Sequence, residues 1–282
     1  MQTTRRLLSA LPAIGLALGM LATPAQAQDT LRIGVEGAYP PFSYVTPEGE
    51  LAGFDVDIAR ALCDAMNTEC TLVQQDWDGI IPALLARKYD AIVASMSMTP
   101  ERKRAVDFTV KYYQTPARFV AEAGTGLDLL QDVENEESIT IGDLDDYTLN
   151  KDALAGKTVG VQRATTHDTF ISDNFGDTVE IRRYGTQDEA NLDLVSGRLD
   201  LVLADVVVLE EGLLDTEQGQ GFEFVGPGFT DPRWYGEGIG IAVRKNDDEL
   251  RQRLNAAIAQ IREDGTYQEI QDQYFDFDIY GG

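Results

Sequence analysis

Three short stretches carry side chains that could hold a small polar molecule. The first, Ser95-Met96-Ser97-Met98-Thr99-Pro100-Glu101-Arg102, follows an apolar run. Thr99 is a good helix N-cap and Pro100 suits the first helical position. A helix starting there would gather free N–H groups, the Ser97 hydroxyl and the Arg102 guanidinium at one strand end, a set that suits a carboxylate. The alternative is a capped surface helix whose Arg102 faces water. The second stretch, Val159-Gly160-Val161-Gln162-Arg163-Ala164-Thr165-Thr166-His167, repeats the scheme of strand, turn and hydroxyls at a helix start. The third, Leu199-Asp200-Leu201-Val202-Leu203-Ala204-Asp205, puts a carboxylate just after an apolar strand, where open α/β sheets bind ligands. Asp205 as an ordinary helix N-cap is the other reading. An arginine at one point and an aspartate at another fit a zwitterion, its carboxylate and ammonium held separately.

Composition narrows the classes. The chain has 282 residues, 43% of them hydrophobic, enough for a buried core in one large domain or two ordinary ones. Lys and Arg total 23 against 48 Asp and Glu, a formal charge of −25, so no nucleic-acid partner is expected. One histidine and two cysteines leave no cluster for a metal and no obvious His-based triad, and no cofactor is expected. After the N-terminus no run reaches the roughly 18 apolar residues of a membrane span.

Residues 1–27 read as a secretory signal peptide. Arg5 and Arg6 form a positive head, residues 7–22 are almost wholly apolar, and Ala25-Gln26-Ala27 is a small-x-small cleavage site. A lipid anchor would want a cysteine at the cleavage point, where Gln28 stands. Export gives Cys63 and Cys70 a meaning. In an oxidising compartment they are expected to form a disulfide that pins a helix end to the next strand, two reduced buried cysteines being the alternative.

The elements that must position these groups alternate along the chain. Strand-like runs at 31–36, 71–73 and 90–94 interleave with helix-like ones at 54–66 and 79–87, and strands recur at 157–161, 179–183 and 199–204. Thr186 and Glu189 form a capping box, and Gly197 suits the residue just past a helix end. Such alternation predicts an α/β fold of parallel sheets covered by helices. It breaks between Phe119 and Asn150, which hold nine acids and no Lys or Arg, a pattern expected of a solvated surface insertion. A Gly-rich strand at 236–245, a helix at 247–263 ended by Gly265 and a last helix at 267–275 complete the chain.

Several motifs then fall in a telling order. They are Tyr39-Pro40-Pro41-Phe42, Gly53-Phe54-Asp55-Val56-Asp57, Asp76-Trp77-Asp78-Gly79-Ile80-Ile81-Pro82, residues 95–102, Gly197-Arg198-Leu199-Asp200 and Asp264-Gly265-Thr266-Tyr267. Together they resemble the periplasmic solute-binding proteins of ABC importers for polar amino acids, over nearly the whole mature chain. The likeness is nearest to lysine/arginine/ornithine- and histidine-binding proteins, which carry a cysteine pair matching Cys63 and Cys70. Two features depart from that pattern: the long acidic stretch after Phe119, and Ala94 where serine is frequent.

The resemblance implies a two-lobed periplasmic-binding-protein clamshell (type II), each lobe a sheet flanked by helices, with a two-strand hinge. Residues 28–114 and 238–282 would form lobe 1, and 117–230 lobe 2 with the acidic insertion near 124–150. It implies that Arg102 and the Ser97 and Thr166 N–H groups hold an α-carboxylate. Asp205, the Ser95 carbonyl and the Ser97 hydroxyl would hold an α-ammonium, while Glu36, Tyr39, Trp77, Gln162, Thr165 and His167 surround the side chain. A ligand bridging both lobes would favour closure, the signal an importer can read. The implied protein is a monomeric, non-enzymatic periplasmic receptor that passes an amino acid to an ABC permease in the inner membrane. Glu36 and Trp77 suit a cationic side chain, so lysine, arginine or ornithine lead, with glutamine, histidine or an opine as alternatives. Outside the receptor class, the alternative is a dehydratase-like enzyme using Glu36 or His167, for whose dicarboxylate Arg102 alone offers too little positive charge.

Overall fold

The computed structural model describes residues 30–281; the signal-peptide reading of residues 1–27 lies outside them. The first sheet has the order β5 (Cys70–Gln74), β1 (Leu31–Val35), β6 (Ala91–Ile92), β14 (Ile239–Arg244) and β7 (Val106–Tyr113). The second runs β11 (Glu180–Tyr184), β10 (Thr158–Gln162), β12 (Leu201–Asp205), β8 (Ala117–Glu122), β13 (Phe222–Phe229) and β9 (Thr140–Ile141). A small antiparallel sheet of β2 (Ala38–Tyr39), β3 (Ser43–Val45) and β4 (Leu51–Ala52) carries Tyr39.

Each large sheet has a parallel half, β1 with β5 and β6, and β10 with β11 and β12. The expected parallel pairing is thus joined by antiparallel pairs, since β14 pairs antiparallel with β6 and β7, and β8 antiparallel with β12 and β13. The reason is the chain path. It crosses from the first sheet to the second between Tyr113 and Ala117 and returns between Phe229 and Ile239, so each sheet receives strands that enter from the other lobe. Those two crossings connect the lobes.

The central strands are buried on both faces, as parallel strands under helices must be. In β1, Ile33 and Val35 are fully buried, and Gly34 is required because a Cβ there would lie 2.6 Å from the Tyr89 ring. Gly160 of β10 repeats the constraint, with a Cβ 2.4 Å from Leu199. Helix α1 (Phe54–Ala65) buries Phe54, Ile58, Ala59 and Leu62, and Asp55 and Asp57 in its first turn complement its dipole. Cys63 near its end is joined to Cys70 of β5 by a disulfide, closing a loop seven residues long. Helices α8 (Asp248–Glu263) and α9 (Thr266–Gln271) cover the same face through Leu254, Ile258, Ile261 and Tyr267, while α2 (Ile80–Leu85) covers the other. In the second lobe α4 (Thr166–Phe175) and α5 (Gln187–Val195) cover opposite faces, α5 capped by Thr186 and Glu189 as predicted.

Two local expectations change. Thr99 does cap, accepting the Arg102 N–H at 3.2 Å, but α3 (Arg102–Ala105) is a single turn because Val106 enters the long strand β7 at once. The acidic segment is not merely solvated. Its Leu127, Leu129, Leu130, Ile141 and Leu144 are buried in the second core, and β9 adds an edge strand to β13. Glu136 is itself buried, its carboxylate accepting the N–H groups of Leu129 and Leu130 at 2.7 Å each. Apolar residues spaced between the acids anchor a stretch whose net charge suggested only surface.

Candidate ligand-binding site

Between the lobes lies a narrow cavity, and every one of Glu36, Tyr39, Trp77, Ser95, Ser97, Arg102, Gln162, Thr165, Thr166, His167 and Asp205 lines it. They arrive from strand ends. Glu36 follows β1, Ser95 and Ser97 follow β6, Gln162 ends β10, Thr165 and Thr166 open α4, and Asp205 ends β12. The parallel halves of both sheets therefore deliver their C-terminal ends to one cleft, as expected for open α/β sheets.

On the first lobe, Arg102 Nη1 donates to the Ser97 carbonyl at 3.2 Å and its guanidinium lies 5.1 Å from the Trp77 ring centre. Trp77 thus stacks on Arg102, and its Nε1 donates to the Ala164 carbonyl of the other lobe at 3.1 Å. Arg102 Nη2 reaches the same carbonyl at 3.4 Å. Ala164 has φ of 59°, the left-handed region that a residue with a Cβ enters at a cost, and its carbonyl serves both donors. Ser95 is also left-handed, with φ of 50°, and its hydroxyl donates to Asp55 Oδ2 at 2.9 Å rather than remaining free.

On the second lobe, Thr165 caps α4 by accepting the Asp168 N–H, and its own hydroxyl donates to the Gln162 carbonyl at 2.7 Å. Asp205 is the N-cap of α6 (Val206–Leu209): Oδ1 accepts from the Val207 N–H at 2.9 Å and Oδ2 accepts from the Thr115 hydroxyl. The capping and cleft readings of Asp205 are therefore both true of its position. Gln162 Nε2 donates across the cleft to Glu36 Oε1 at 2.5 Å and within its lobe to the Gly185 carbonyl at 3.2 Å. At the mouth the Arg163 guanidinium pairs with Asp78.

Burial governs the electrostatics. It pushes the Glu36 carboxyl up to about 7 and that of Asp205 up to about 6. Asp55, fully buried behind Ser95 and accepting from the Tyr112 hydroxyl at 2.7 Å, is raised to about 7. Burial and the nearby Arg102 charge lower His167 to about 3, so its imidazole is neutral at physiological pH. Burial also lowers Arg102 to about 10, which leaves it charged. Among the described residues no acid forms an ion pair with Arg102, and no base forms one with Glu36, Asp55 or Asp205. Buried charges held apart from every opposite partner are costly unless another molecule supplies the counter-charges.

The sequence did not point to Tyr113, Thr115 or Tyr235, which also line the cavity. They come from the inter-lobe crossing and from the short helix α7 (Pro232–Tyr235), where no motif marks them. Tyr235 packs its ring 5.8 Å from that of His167, and among the described residues neither the Tyr235 hydroxyl nor His167 Nδ1 has a hydrogen-bond partner. Asp55 was visible only as a motif letter, and its place beneath Ser95 becomes apparent in three dimensions.

Two α/β lobes closing over a polar cavity, with a lone cation and lone carboxylates set apart in its walls, define a solute-binding protein. Residues 31–277 match the bacterial extracellular solute-binding proteins, family 3, and the chain belongs to that family. It is 52% identical over 268 residues to the L-arginine-binding protein of Pseudomonas aeruginosa, covering 94% of this chain and 96% of that one. Identity to the histidine-binding periplasmic protein of Escherichia coli is 39% over 259 residues, 92% of each. A solved Salmonella typhimurium periplasmic binding protein described for its high arginine specificity superposes with a TM-score of 0.74 at 31% identity, covering 87% of this chain and 99% of that one.

Proposed function

We propose that the protein is a periplasmic receptor for a basic L-amino acid, with arginine first, and that it passes this ligand unchanged to an ABC permease. The observation that carries the reading is the charge arrangement of the cavity. Among the described residues Arg102 has no carboxylate partner, and Glu36 and Asp205 have no cationic ones. An α-amino acid supplies one carboxylate for Arg102 and one ammonium for Asp205, and the remaining acid, Glu36, calls for a cationic side chain. The identity of the Pseudomonas aeruginosa relative supports arginine among the basic candidates.

In this reading lobe 1 comprises residues 28–114 and 238–282 and lobe 2 residues 117–230. Arg102 and the Ser97 and Thr166 N–H groups hold the carboxylate. Asp205, with the Ser95 carbonyl and the Ser97 hydroxyl, holds the ammonium. Tyr39, Trp77, Gln162, Thr165 and His167 enclose the side chain with Glu36. The commitment of the Ser95 hydroxyl to Asp55 supports the use of the Ser95 carbonyl. The protein works as a monomer after cleavage of residues 1–27, and no reacting group is required of it. A neutral, buried His167 is a poor base near pH 7, which favours a receptor over an enzyme.

Calorimetry of the purified chain against the twenty amino acids and ornithine tests the reading. Binding of arginine or lysine with unchanged ligand recovered after denaturation is expected. Preference for a neutral or acidic amino acid over all basic ones would refute the basic specificity.

A further inference from the structure

The first crossing between the lobes, Gln114-Thr115-Pro116, passes from one lobe's hydrogen bonds to the other's within three residues. Gln114 is fastened to the first lobe, since its N–H donates at 3.0 Å to the carbonyl of Ile279, a buried residue of the C-terminal segment. Pro116 is fastened to the second, its carbonyl accepting the Val206 N–H at 2.9 Å. Thr115 stands between them, lines the cavity and donates its hydroxyl to Asp205 Oδ2. The other oxygen of that carboxylate is already held, because Oδ1 accepts the Val207 N–H as the cap of α6. Thr115 therefore fixes the second oxygen. A carboxylate has about four lone-pair sites, so both oxygens keep capacity for a ligand's ammonium.

The surroundings of Asp205 explain why such a donor matters. The residue is buried, and the titratable groups that face it, Tyr39 of β2, Asp55 of α1 and Tyr113 of β7, come from the first lobe and include no cation. Resting on the basic-amino-acid reading above, we infer that Thr115 is a positioning residue for the ammonium site: from the hinge crossing, its hydroxyl keeps the Asp205 carboxylate anionic and aimed into the cavity until a ligand arrives. A hydrogen bond to the charged form of an acid favours that form. Burial pushes the Asp205 carboxyl up to about 6, and the Thr115 hydroxyl is the foremost contact pulling it down, ahead of the N–H groups of Val207 and Val208. Without the hydroxyl, Oδ2 lies buried with one donor fewer, and a proton competes better against the ligand's ammonium. Thr115 acts through Asp205 and not on the ligand's side chain. Arginine and lysine share the α-ammonium, so both should lose equally when the hydroxyl is removed.

The test measures L-arginine and L-lysine affinity by calorimetry at pH 5.5 and pH 8.5 for Thr115→Val, Thr115→Ser and the unaltered chain. Thr115→Val keeps the shape and removes the hydroxyl, whereas Thr115→Ser keeps the hydroxyl. At pH 5.5 Thr115→Val should weaken both ligands about fivefold to tenfold, the scale set by a tenfold rise in the proton affinity of Asp205. At pH 8.5 the loss should be less than about twofold, because Asp205 is then ionised with or without the hydroxyl. Glu36 titrates alike in both chains and cancels from the ratio. Thr115→Ser should stay within about twofold at both pH values. Should Thr115→Val fold poorly, Thr115→Ala takes its place with the same expectation. No deficit at pH 5.5, a deficit of equal size at both pH values, a deficit in one ligand alone, or a Thr115→Ser deficit as large as that of Thr115→Val overturns the role of Thr115 while leaving the receptor reading intact. Failure of the unaltered chain to bind any basic amino acid overturns both.

Discussion

The two lobes share a plan and differ in what they bring to the cleft. Each places a glycine in its central strand, Gly34 or Gly160, and brings a long polar side chain to that strand's C-terminal end, Glu36 just after β1 or Gln162 as the last residue of β10. Each follows its third parallel strand with a residue on the cavity wall, Ser95 after β6 or Asp205 at the end of β12. The first lobe, however, holds the cation Arg102 and the acid Glu36, whereas the second offers Asp205 with an amide, hydroxyls and a helix start. On the proposed function, both ends of a basic amino acid would find an opposite charge on the first lobe. The second lobe would add Asp205 as the ammonium partner and the uncharged contacts that complete the enclosure. That division suggests capture on lobe 1 and closure by lobe 2.

The largest expected effect comes from removing the lobe 1 anchor. Arg102→Ala leaves a bound carboxylate desolvated without its partner, a loss of about 3–5 kcal/mol by analogy with broken buried pairs. Calorimetry should then show arginine affinity reduced at least about a hundredfold with the fold retained. Affinity within threefold of the unaltered protein would move the carboxylate site elsewhere. Glu36→Gln is next. It should weaken arginine and lysine by about tenfold to a hundredfold, the scale of a charge-assisted bond, and neutral amino acids much less. Equal losses for charged and neutral ligands would make Glu36 a structural residue.

The same carboxylates predict a pH dependence. Glu36 rises from 4.5 to about 7 and Asp205 from 3.8 to about 6 because both are buried. The folded protein without ligand therefore binds protons that the unfolded chain has released, so its stability from this source declines as pH rises from about 4 to 7. A cationic ligand favours the ionised forms and reverses that trend. The rise in Tm given by saturating arginine should be larger at pH 8 than at pH 5.5. A rise that is the same or larger at pH 5.5 would contradict the pairing of the ligand with these acids.

A control outside the cleft should separate stability from binding. The disulfide closes a loop of only seven residues at the far end of α1, and neither cysteine lines the cavity. Replacing both Cys63 and Cys70 by serine should cost about 2–3 kcal/mol of stability by loop-closure entropy. Denaturant unfolding would register this, while arginine affinity should stay within about twofold.

The comparison also shows where sequence reading succeeds. The cleft residues were legible because their positions are local events: strand ends, a threonine N-cap at Thr165, an aspartate after an apolar run at Asp205. Parallel strands in one direction then bring those local ends together without further information. Tyr235 and Thr115 were not legible, since they reach the cavity through chain crossings between lobes, whose geometry no local pattern encodes. The acidic segment misled for a related reason. Charge counts describe what faces water, and the leucines between the acids, buried against β13, carry the structural content. The mixed sheets likewise follow from chain crossings that alternation alone does not reveal.

The smallest effect belongs to the contact that joins the lobes at the mouth. Arg163 and Asp78 pair there with side chains 48% and 40% exposed, so water and salt screen their attraction. Exposed pairs of this kind contribute about 0.2–1 kcal/mol. The half-buried contact of Trp77 with the Ala164 carbonyl and the buried one of Gln162 with Glu36 are screened less and should dominate closure. Arg163→Gln should therefore lower arginine affinity by less than about fivefold in dilute buffer, and the deficit should vanish in 0.5 M NaCl. Trp77→Phe, which removes the indole donor at the same cleft edge and shrinks the ring stacked on Arg102, should retain its own deficit at both salt concentrations. If the Arg163 deficit instead persisted at high salt, or exceeded that of Trp77→Phe, the mouth pair would be an element of the binding site and the second lobe would contribute a cation as well as Asp205.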